Sequence, residues 1–231
     1  MPSAPPTELE SCPVDVNDCL WLKELAALRT ENRTLRSQVI RDPLTGLHNY
    51  QYFSDTLSDE MQRTARTGRP TCLMIIDLDH FKRVNDERGH EAGNAALKAA
   101  ANVFRGELRQ LDIVCRYGGE EFTVILPQTT LPVAVNVAER LRIALENTAI
   151  RFKDMEFNVT ASFGVAIYQS GSDLDAKTLV DSADQNLYRA KQQGRNQVCH
   201  PDLTSLKPST EVSSEEKSAL FSASPAKTDK D

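Results

Sequence analysis

Two hydrophobic periods alternate along the middle of the chain. Apolar positions recur at helical spacing from 49 to 67, and TCLMIIDLD (71 to 79) is then a short, continuous apolar run ending in acids, which predicts a buried strand. Helical spacing returns from Ala95 to Leu108, with Leu97, Ala100, Val103, Phe104 and Leu108 on one face. DIVCRY (112 to 117) and EFTVILP (121 to 127) predict two strands joined across Gly118 and Gly119, a pair suited to a two-residue hairpin turn with positive φ. A helix from 131 to 147 leads to a strand at 158 to 168, where Val159, Ala161, Phe163, Val165 and Ile167 alternate, and a helix follows from 176 to 192. The order β-α-β-β-α-β with a final helix predicts an α+β fold, an antiparallel central sheet flanked by helices.

A different pattern precedes it. From Asp18, placed as an N-cap, to Arg41 the chain reads as one helix with a heptad seam: Leu25, Asn32 and Val39 at a positions, Trp21, Leu28 and Leu35 at d positions. Glu24 and Glu31 fall at g and Arg29 and Arg36 at the following e′ positions, so a parallel pair would set each Glu opposite an Arg. This predicts a homodimer formed through the N-terminal helix; the alternative is a lone amphipathic helix lying on its own domain. The resulting division is a disordered start (1–14), a coiled-coil helix (15–41), a catalytic domain (42–200) and a disordered tail (201–231) rich in Ser, Lys and Glu. Residues 1–41 hold no room for a sensor domain, so a regulatory protein acting on the helix is the expected handle.

Composition narrows the class. With 231 residues, 40% hydrophobic and 26% charged, the chain suits a soluble protein with one core-forming domain. A net charge of -6 argues against a broad nucleic-acid-binding face, because phosphate neutralisation needs clustered Lys and Arg. The longest apolar run, around Leu73 to Ile76, is too short to span a bilayer, and no leader is evident, so a cytoplasmic location without a membrane span is expected. Five cysteines, Cys12, Cys19, Cys72, Cys115 and Cys199, form no C-x-x-C pair and read as free thiols.

Chemistry concentrates at two predicted strand ends. Asp77 and Asp79 leave the first strand, and Glu120 and Glu121 stand at the hairpin tip. Alone, DLD also fits a solvated strand exit and GGEE an exposed hairpin. Together, in a sheet that sets the hairpin beside the first strand, clustered carboxylates call for cations, and hard oxygen ligands suit Mg²⁺ that also holds substrate phosphates.

The residues also resemble a family. DPLTGLHN (42 to 49), IIDLDHFKRVNDERGHEAGN (75 to 94), RYGGEEF (116 to 122), SFGVA (162 to 166) and NLYRAKQQGRN (186 to 196) are similar to the ordered motifs of the GGDEF-domain diguanylate cyclases, in the variant that reads GGEEF. The resemblance implies a βαββαβ core akin to ferredoxin-like folds, nucleotidyl cyclases and polymerase palms. It also implies condensation of two GTP into cyclic di-GMP with release of two pyrophosphates, each protomer of a dimer holding one GTP. Two Mg²⁺ (or Mn²⁺) per active site are implied, held by Asp77, the carbonyl of Leu78, Glu120 and Glu121, with Glu120 helping to deprotonate the 3′-hydroxyl. Lys82, Lys191 and Arg195 match phosphate contacts, Asn85 matches a guanine contact, and Phe81 has a structural place that can line the base pocket. Gly118 and Gly119 match the turn beneath the triphosphate. Asp79 is expected to be structural, and His90 to fix a loop or helix start.

Two departures and one regulatory motif complete the resemblance. Tyr50 and Gln51 stand where the family commonly has basic residues, and Asn94 stands where it usually has an Asp that accepts from guanine. An amide offers one acceptor with donors beside it, which suits guanine less well and can pair with adenine. This opens the alternative of a relaxed cyclase making cyclic GMP-AMP. RQLD, Arg109 to Asp112, matches the family's product-inhibition motif, with Arg140 as a second arginine, so feedback by cyclic di-GMP is implied. A catalytically silent cyclic di-GMP receptor is the rival from another class, but such a protein should carry a broken signature.

Overall fold

The computed structural model describes residues 23–31 and 40–202. Residues 23–31 form a helix, α1, on which Leu25 and Leu28 are exposed. The other seam positions, Trp21, Asn32, Leu35 and Val39, lie outside the described residues, as do the expected disordered segments apart from Pro201 and Asp202. By Ile40 the chain is no longer helical, and Arg41 instead bridges His48.

The remaining elements are α2 (Tyr50–Thr67), β1 (Thr71–Leu78), α3 (Phe81–Arg88), α4 (His90–Glu107), β2 (Ile113–Gly118), β3 (Glu121–Leu126), α5 (Leu131–Glu146), β4 (Ile150–Phe152), β5 (Met155–Phe157), β6 (Ala161–Tyr168), α6 (Ala176–Gln192) and β7 (Val198–Cys199). All precede Pro201, where a second unit of the chain begins. The main sheet runs β2-β3-β1-β6-β7, antiparallel throughout except for the parallel pairing of β7 with β6. β4 and β5 form a separate small hairpin.

β1 reads as a continuous apolar run because both of its faces are covered. Leu73 and Ile75 pack with Phe53, Leu57 and Met61 of α2 and Leu179, Ala183 and Leu187 of α6. Ile76 points the other way and is paired with Phe122 and Phe163, whose rings meet Phe104 of α4 edge-on at 5.3 and 6.3 Å. Local signals set the helix ends: the Asn49 side chain accepts from the Tyr52 amide to cap α2, and Gly68, at φ 72°, closes it. Cys72, Cys115 and Cys199 are free and buried, and burial pushes the Cys72 and Cys115 thiols up to about 12. No described helix is long and apolar enough to cross a membrane.

The structure corrects several boundaries. α4 begins at His90 rather than Ala95, and β6 begins at Ala161 rather than 158. α3 was not expected: FKRVNDER buries only Phe81, so no apolar period announces it. The β2–β3 turn is not Gly118-Gly119. Gly118 belongs to β2 and pairs with Glu121, a register shift follows Arg116, and the two turn residues are Gly119 and Glu120. Only Gly119 takes positive φ, at 51°.

One close approach is decisive for packing. A Cβ on Gly164 of β6 would sit 2.1 Å from the Ala183 carbonyl oxygen and 2.3 Å from the Leu187 nitrogen, so α6 can lie this near the sheet only over glycine. Gly164→Ala is expected to lower stability by about 1–3 kcal/mol in urea denaturation. An unchanged midpoint would show that α6 does not depend on that approach.

Candidate active site

The register of the sheet brings the predicted carboxylates together. Asp77 of β1 is paired with Glu121 of β3 on one side and Ser162 of β6 on the other, and the Leu78 amide donates to the Glu120 carbonyl at 3.3 Å. Asp77 shares its sheet face with Ile75, the side covered by α6, and there Lys191 Nζ lies 2.9 Å from Asp77 Oδ2. The Asp77 side chain is only 14% exposed.

This crowding leaves its mark on protonation. Burial raises the pKa of Asp77 above the ordinary carboxylate range; Lys191 opposes the shift, while Glu120 and Asp79 add to it. Glu121 is raised as well, first by burial and then by Asp77, with Lys191 again opposing and Asp184 and Glu120 adding. Lys191 is thus the counter-charge to a cluster that one ammonium does not neutralise. Among the described residues no three His, Cys, Asp or Glu side chains already form a closed metal cage. The donor chemistry nevertheless fits a hard divalent cation, since oxygen ligands that raise one another's pKa gain from positive charge between them.

The hairpin tip is held from below by Arg116, to which the sequence motifs assign no role. Its Nε and Nη2 donate to the Gly119 carbonyl at 3.0 and 2.8 Å, while Nη1 reaches both Asp42 oxygens at 3.2 and 3.1 Å. Asp42 also accepts from the Thr45 amide and hydroxyl at 2.8 and 2.7 Å. Burial works to raise the Asp42 pKa, yet the Thr45 hydrogen bonds and Arg116 hold it below the usual value. The available signal was an Arg in the strand that leads into the glycines, with an unassigned acid in DPLTG.

Asp79 is almost fully buried, at 5% exposed, and is met by donors on every side. Thr160 Oγ1 and the Asn196 amide donate to Oδ2 at 2.8 and 3.0 Å, and Ser162 Oγ donates to Oδ1 at 2.7 Å. It is built into the fold, its charge still felt by Asp77.

Comparison with known proteins gives the family. The family model for the diguanylate cyclase GGDEF domain matches residues 39–197. The chain belongs to that family. It is 41% identical over 163 residues to the diguanylate cyclase DgcP of Pseudomonas aeruginosa, covering 71% of this chain and 24% of that protein. The structure of the diguanylate cyclase SiaD in complex with its activator SiaC, from Pseudomonas aeruginosa, is similar with a TM-score of 0.67 and 37% identity, over 78% of this chain and 69% of that one. The coiled coil and GGDEF domain of DgcB from Caulobacter crescentus, in complex with c-di-GMP, gives a TM-score of 0.67 at 28% identity over 78% and 95% of the two chains. The chain spans only 24% to 48% of the length of the curated relatives DgcP and the Treponema denticola diguanylate cyclase A.

In this GGDEF domain the residues matched to base recognition lie on α3 and α4. Gly93 is the residue that joins them: a Cβ there would fall 2.0 Å from Asn85 Oδ1 and 3.1 Å from the Phe81 ring. Its absence lets the Asn85 side chain lie against α4 at Gly93; Asn94, the next residue, is exposed. Lys82 is exposed on α3, and Arg195 is exposed in the loop after α6 with φ 65°. His90 opens α4.

The inhibitory-motif residues occupy the α4–β2 connection and α5. Asp112 accepts from the Arg109 amide at 2.9 Å; burial raises its pKa, and both Arg109 and Arg140 oppose the shift. Arg140 is paired with Glu107 at 3.0 Å, whereas the Arg109 guanidinium has no ion pair among the described residues.

Glu121 carries a test of the crowding. Its raised pKa means that ionisation destabilises the folded state as pH rises from the ordinary value of 4.5 through the raised one. Glu121→Gln is therefore expected to melt higher than the parent at neutral pH without divalent cations, the gap closing as pH falls toward 4.5. A variant that melts no higher at any pH would show that the carboxylates do not strain one another.

Proposed function

We propose that the protein is a diguanylate cyclase that condenses two GTP into cyclic di-GMP and two pyrophosphates across a homodimer. The observation that carries this reading is the cluster at the sheet end, where Asp77 is paired with Glu121 beside the Glu120 turn and faced by Lys191. In each half-reaction the 3′-oxygen of one GTP forms a bond to the α-phosphorus of the other, and the bond from that phosphorus to the pyrophosphate oxygen breaks. Glu120, in the turn itself, takes the 3′-hydroxyl proton; Lys191, Lys82 and Arg195 bind the triphosphate. Two Mg²⁺ or Mn²⁺, held by Asp77, the Leu78 carbonyl, Glu120 and Glu121, would supply Lewis-acid neutralisation at phosphorus when bound. Asn85 and Phe81 take the base, with Gly118 and Gly119 beneath the phosphates. Two domains must face each other for the 3′-oxygen of one nucleotide to reach the other, and the N-terminal helix is the segment that would hold them so. That DgcB was solved with a coiled coil beside its GGDEF domain, and SiaD in complex with an activator protein, supports a paired helix ahead of the domain and control by a partner protein.

Asn94 favours a second reading, in which ATP is also accepted and some cyclic GMP-AMP is made. Mass spectrometry of products from equimolar GTP and ATP with Mg²⁺ separates the readings. Cyclic di-GMP alone is the expected product, falling by at least about 100-fold in Glu120→Ala. A mixed dinucleotide would make Asn94 the specificity residue. Binding of cyclic di-GMP without any product from the dimeric protein would instead identify a silent receptor.

Arg109, Asp112 and Arg140 form the inhibitory site in this reading, an arginine pair reading base and phosphate beside one acceptor. Arg109→Ala with Asp112→Ala is expected to keep turnover and to raise the cyclic di-GMP concentration needed for half-inhibition by roughly tenfold or more. Inhibition curves that superimpose on the parent's would remove this site.

A further inference from the structure

The loop after α6 carries an arrangement that none of the catalytic motifs explains. Gly194, Arg195 and Asn196 all have positive φ, 116°, 65° and 44°, a run that ordinary side chains rarely adopt. Asn196 ties this run down in three directions. Its backbone amide donates to Asp79 Oδ2 at 3.0 Å, its Nδ2 donates to Glu146 Oε1 at 2.8 Å, and its Oδ1 accepts from Arg142 Nη1 at 3.0 Å. Arg142 is itself fixed by Glu139 and Glu146, at 2.8 and 3.0 Å, and its side chain is 17% exposed.

The two ends of this network are close to chemistry in the chain. Arg195 immediately precedes Asn196, and Asp79 lies two residues beyond Asp77, locked between β6 and the loop by Thr160 and Ser162. The Arg195 amide closes back on the Ala190 carbonyl at 3.0 Å, and the Gln197 carbonyl accepts from Phe163 of β6 at 2.9 Å. Arg195 is thus an exposed cation whose backbone is clamped on both sides. Such clamping lowers the ordering cost of meeting an anion.

We propose that Asn196 is a positioning residue: through Asp79 on one side and Arg142 on the other, it holds Arg195 in the left-handed backbone conformation that presents its guanidinium to the triphosphate. The inference rests on the reading of Arg195 as a phosphate contact. Asn196 touches no reacting atom; it acts through its neighbour.

The test uses the full chain and four variants: Asn196→Gly, which permits the left-handed backbone without strain and removes both side-chain hydrogen bonds, Arg142→Met, which leaves residue 196 unaltered, Arg195→Ala, and the Asn196→Gly Arg195→Ala double variant. Affinity for a GTP analogue that cannot release pyrophosphate is measured by calorimetry beside KM and kcat for GTP and the melting temperature. Asn196→Gly and Arg142→Met are expected to weaken analogue binding and raise KM by roughly tenfold, with kcat changing much less. The double variant should bind no more weakly than Arg195→Ala alone, because Asn196 has nothing left to position. Losses that multiply in the double variant, or unaltered affinity in both single network variants, would overturn the proposal. Should the parent bind the analogue but make no cyclic dinucleotide, the cyclase reading fails, while the affinities still decide the role of Asn196.

Discussion

The antiparallel register of β1 against β3 and β6 is the constraint on which the rest of the domain depends. Because Ile75 and Leu73 face the α2–α6 side, period-two alternation puts Asp77 on that side too, at the point where the apolar run gives out. A slip of one residue would turn Asp77 to the opposite face and bring Leu78 toward Lys191. The same slip would drive Leu73 and Ile75 out of their contacts with α2 and α6. The hydrophobic core and the acidic cluster are therefore fixed by one register, and the energy that secures the core also holds a destabilising group of like charges in place.

Two tethers support the segments that flank this cluster, and they use the same device. Arg116 joins the Gly119 carbonyl in the hairpin to Asp42 in the segment leading into α2. Asn196 joins the loop after α6 to Asp79 and to α5. In each, a turn is held at its backbone by a hydrogen-bonding side chain, Arg116 at the Gly119 carbonyl and Asp79 at the Asn196 amide, and the holding group is itself fixed by further polar contacts. Backbone anchoring leaves the side chains of Glu120 and Arg195 free to turn toward a ligand. The Asp42 tether also ties the start of the domain to the hairpin, so the segment that follows the N-terminal helix and the tip bearing Glu120 share one ion pair.

The central strands β1, β3 and β6 were legible in the sequence because they are almost wholly buried and bounded by sharp composition changes, so that TCLMIIDL and EFTVIL leave little choice of period, whereas the two-residue edge strand β7 gave no such signal. The helix at 176–192 was legible from its helical spacing, and the structure adds the Asp175 side chain as its cap. What escaped was structure held by polar contacts. α3 has a single buried residue, and the turn residues of the β2–β3 hairpin were displaced by one because a register shift after Arg116 takes Gly118 into the strand. Residue types at the acidic cluster were readable in two ways: Asp77, Glu120 and Glu121 stand as charges at strand ends, whereas Lys191 was reached only through the family resemblance. Arg116, Gly93 and Asn196 were not, because their partners Asp42, Asn85 and Asp79 are fixed by tertiary packing rather than by spacing along the chain.

Lys191 ties these observations into one electrostatic argument. The chain is acidic overall, and Asp77 and Glu121 add strain where burial weakens the screening of like charges. An ammonium at 2.9 Å from Asp77 opposes the upward shifts of both acids, which burial drives first and the neighbouring carboxylates reinforce. In the cyclase reading a metal-bound triphosphate brings both signs of charge to the same place. Divalent cations satisfy the carboxylates better than one ammonium does, and the phosphate oxygens offer Lys191 a new partner. The site would then exchange a compromise ion pair for two complementary ones, so substrate and metal bind most favourably together and neither is held as strongly alone. A lysine that serves as internal counter-ion before substrate arrives and as phosphate ligand afterwards needs only a flexible four-carbon stem at the end of α6, and that is where Lys191 stands.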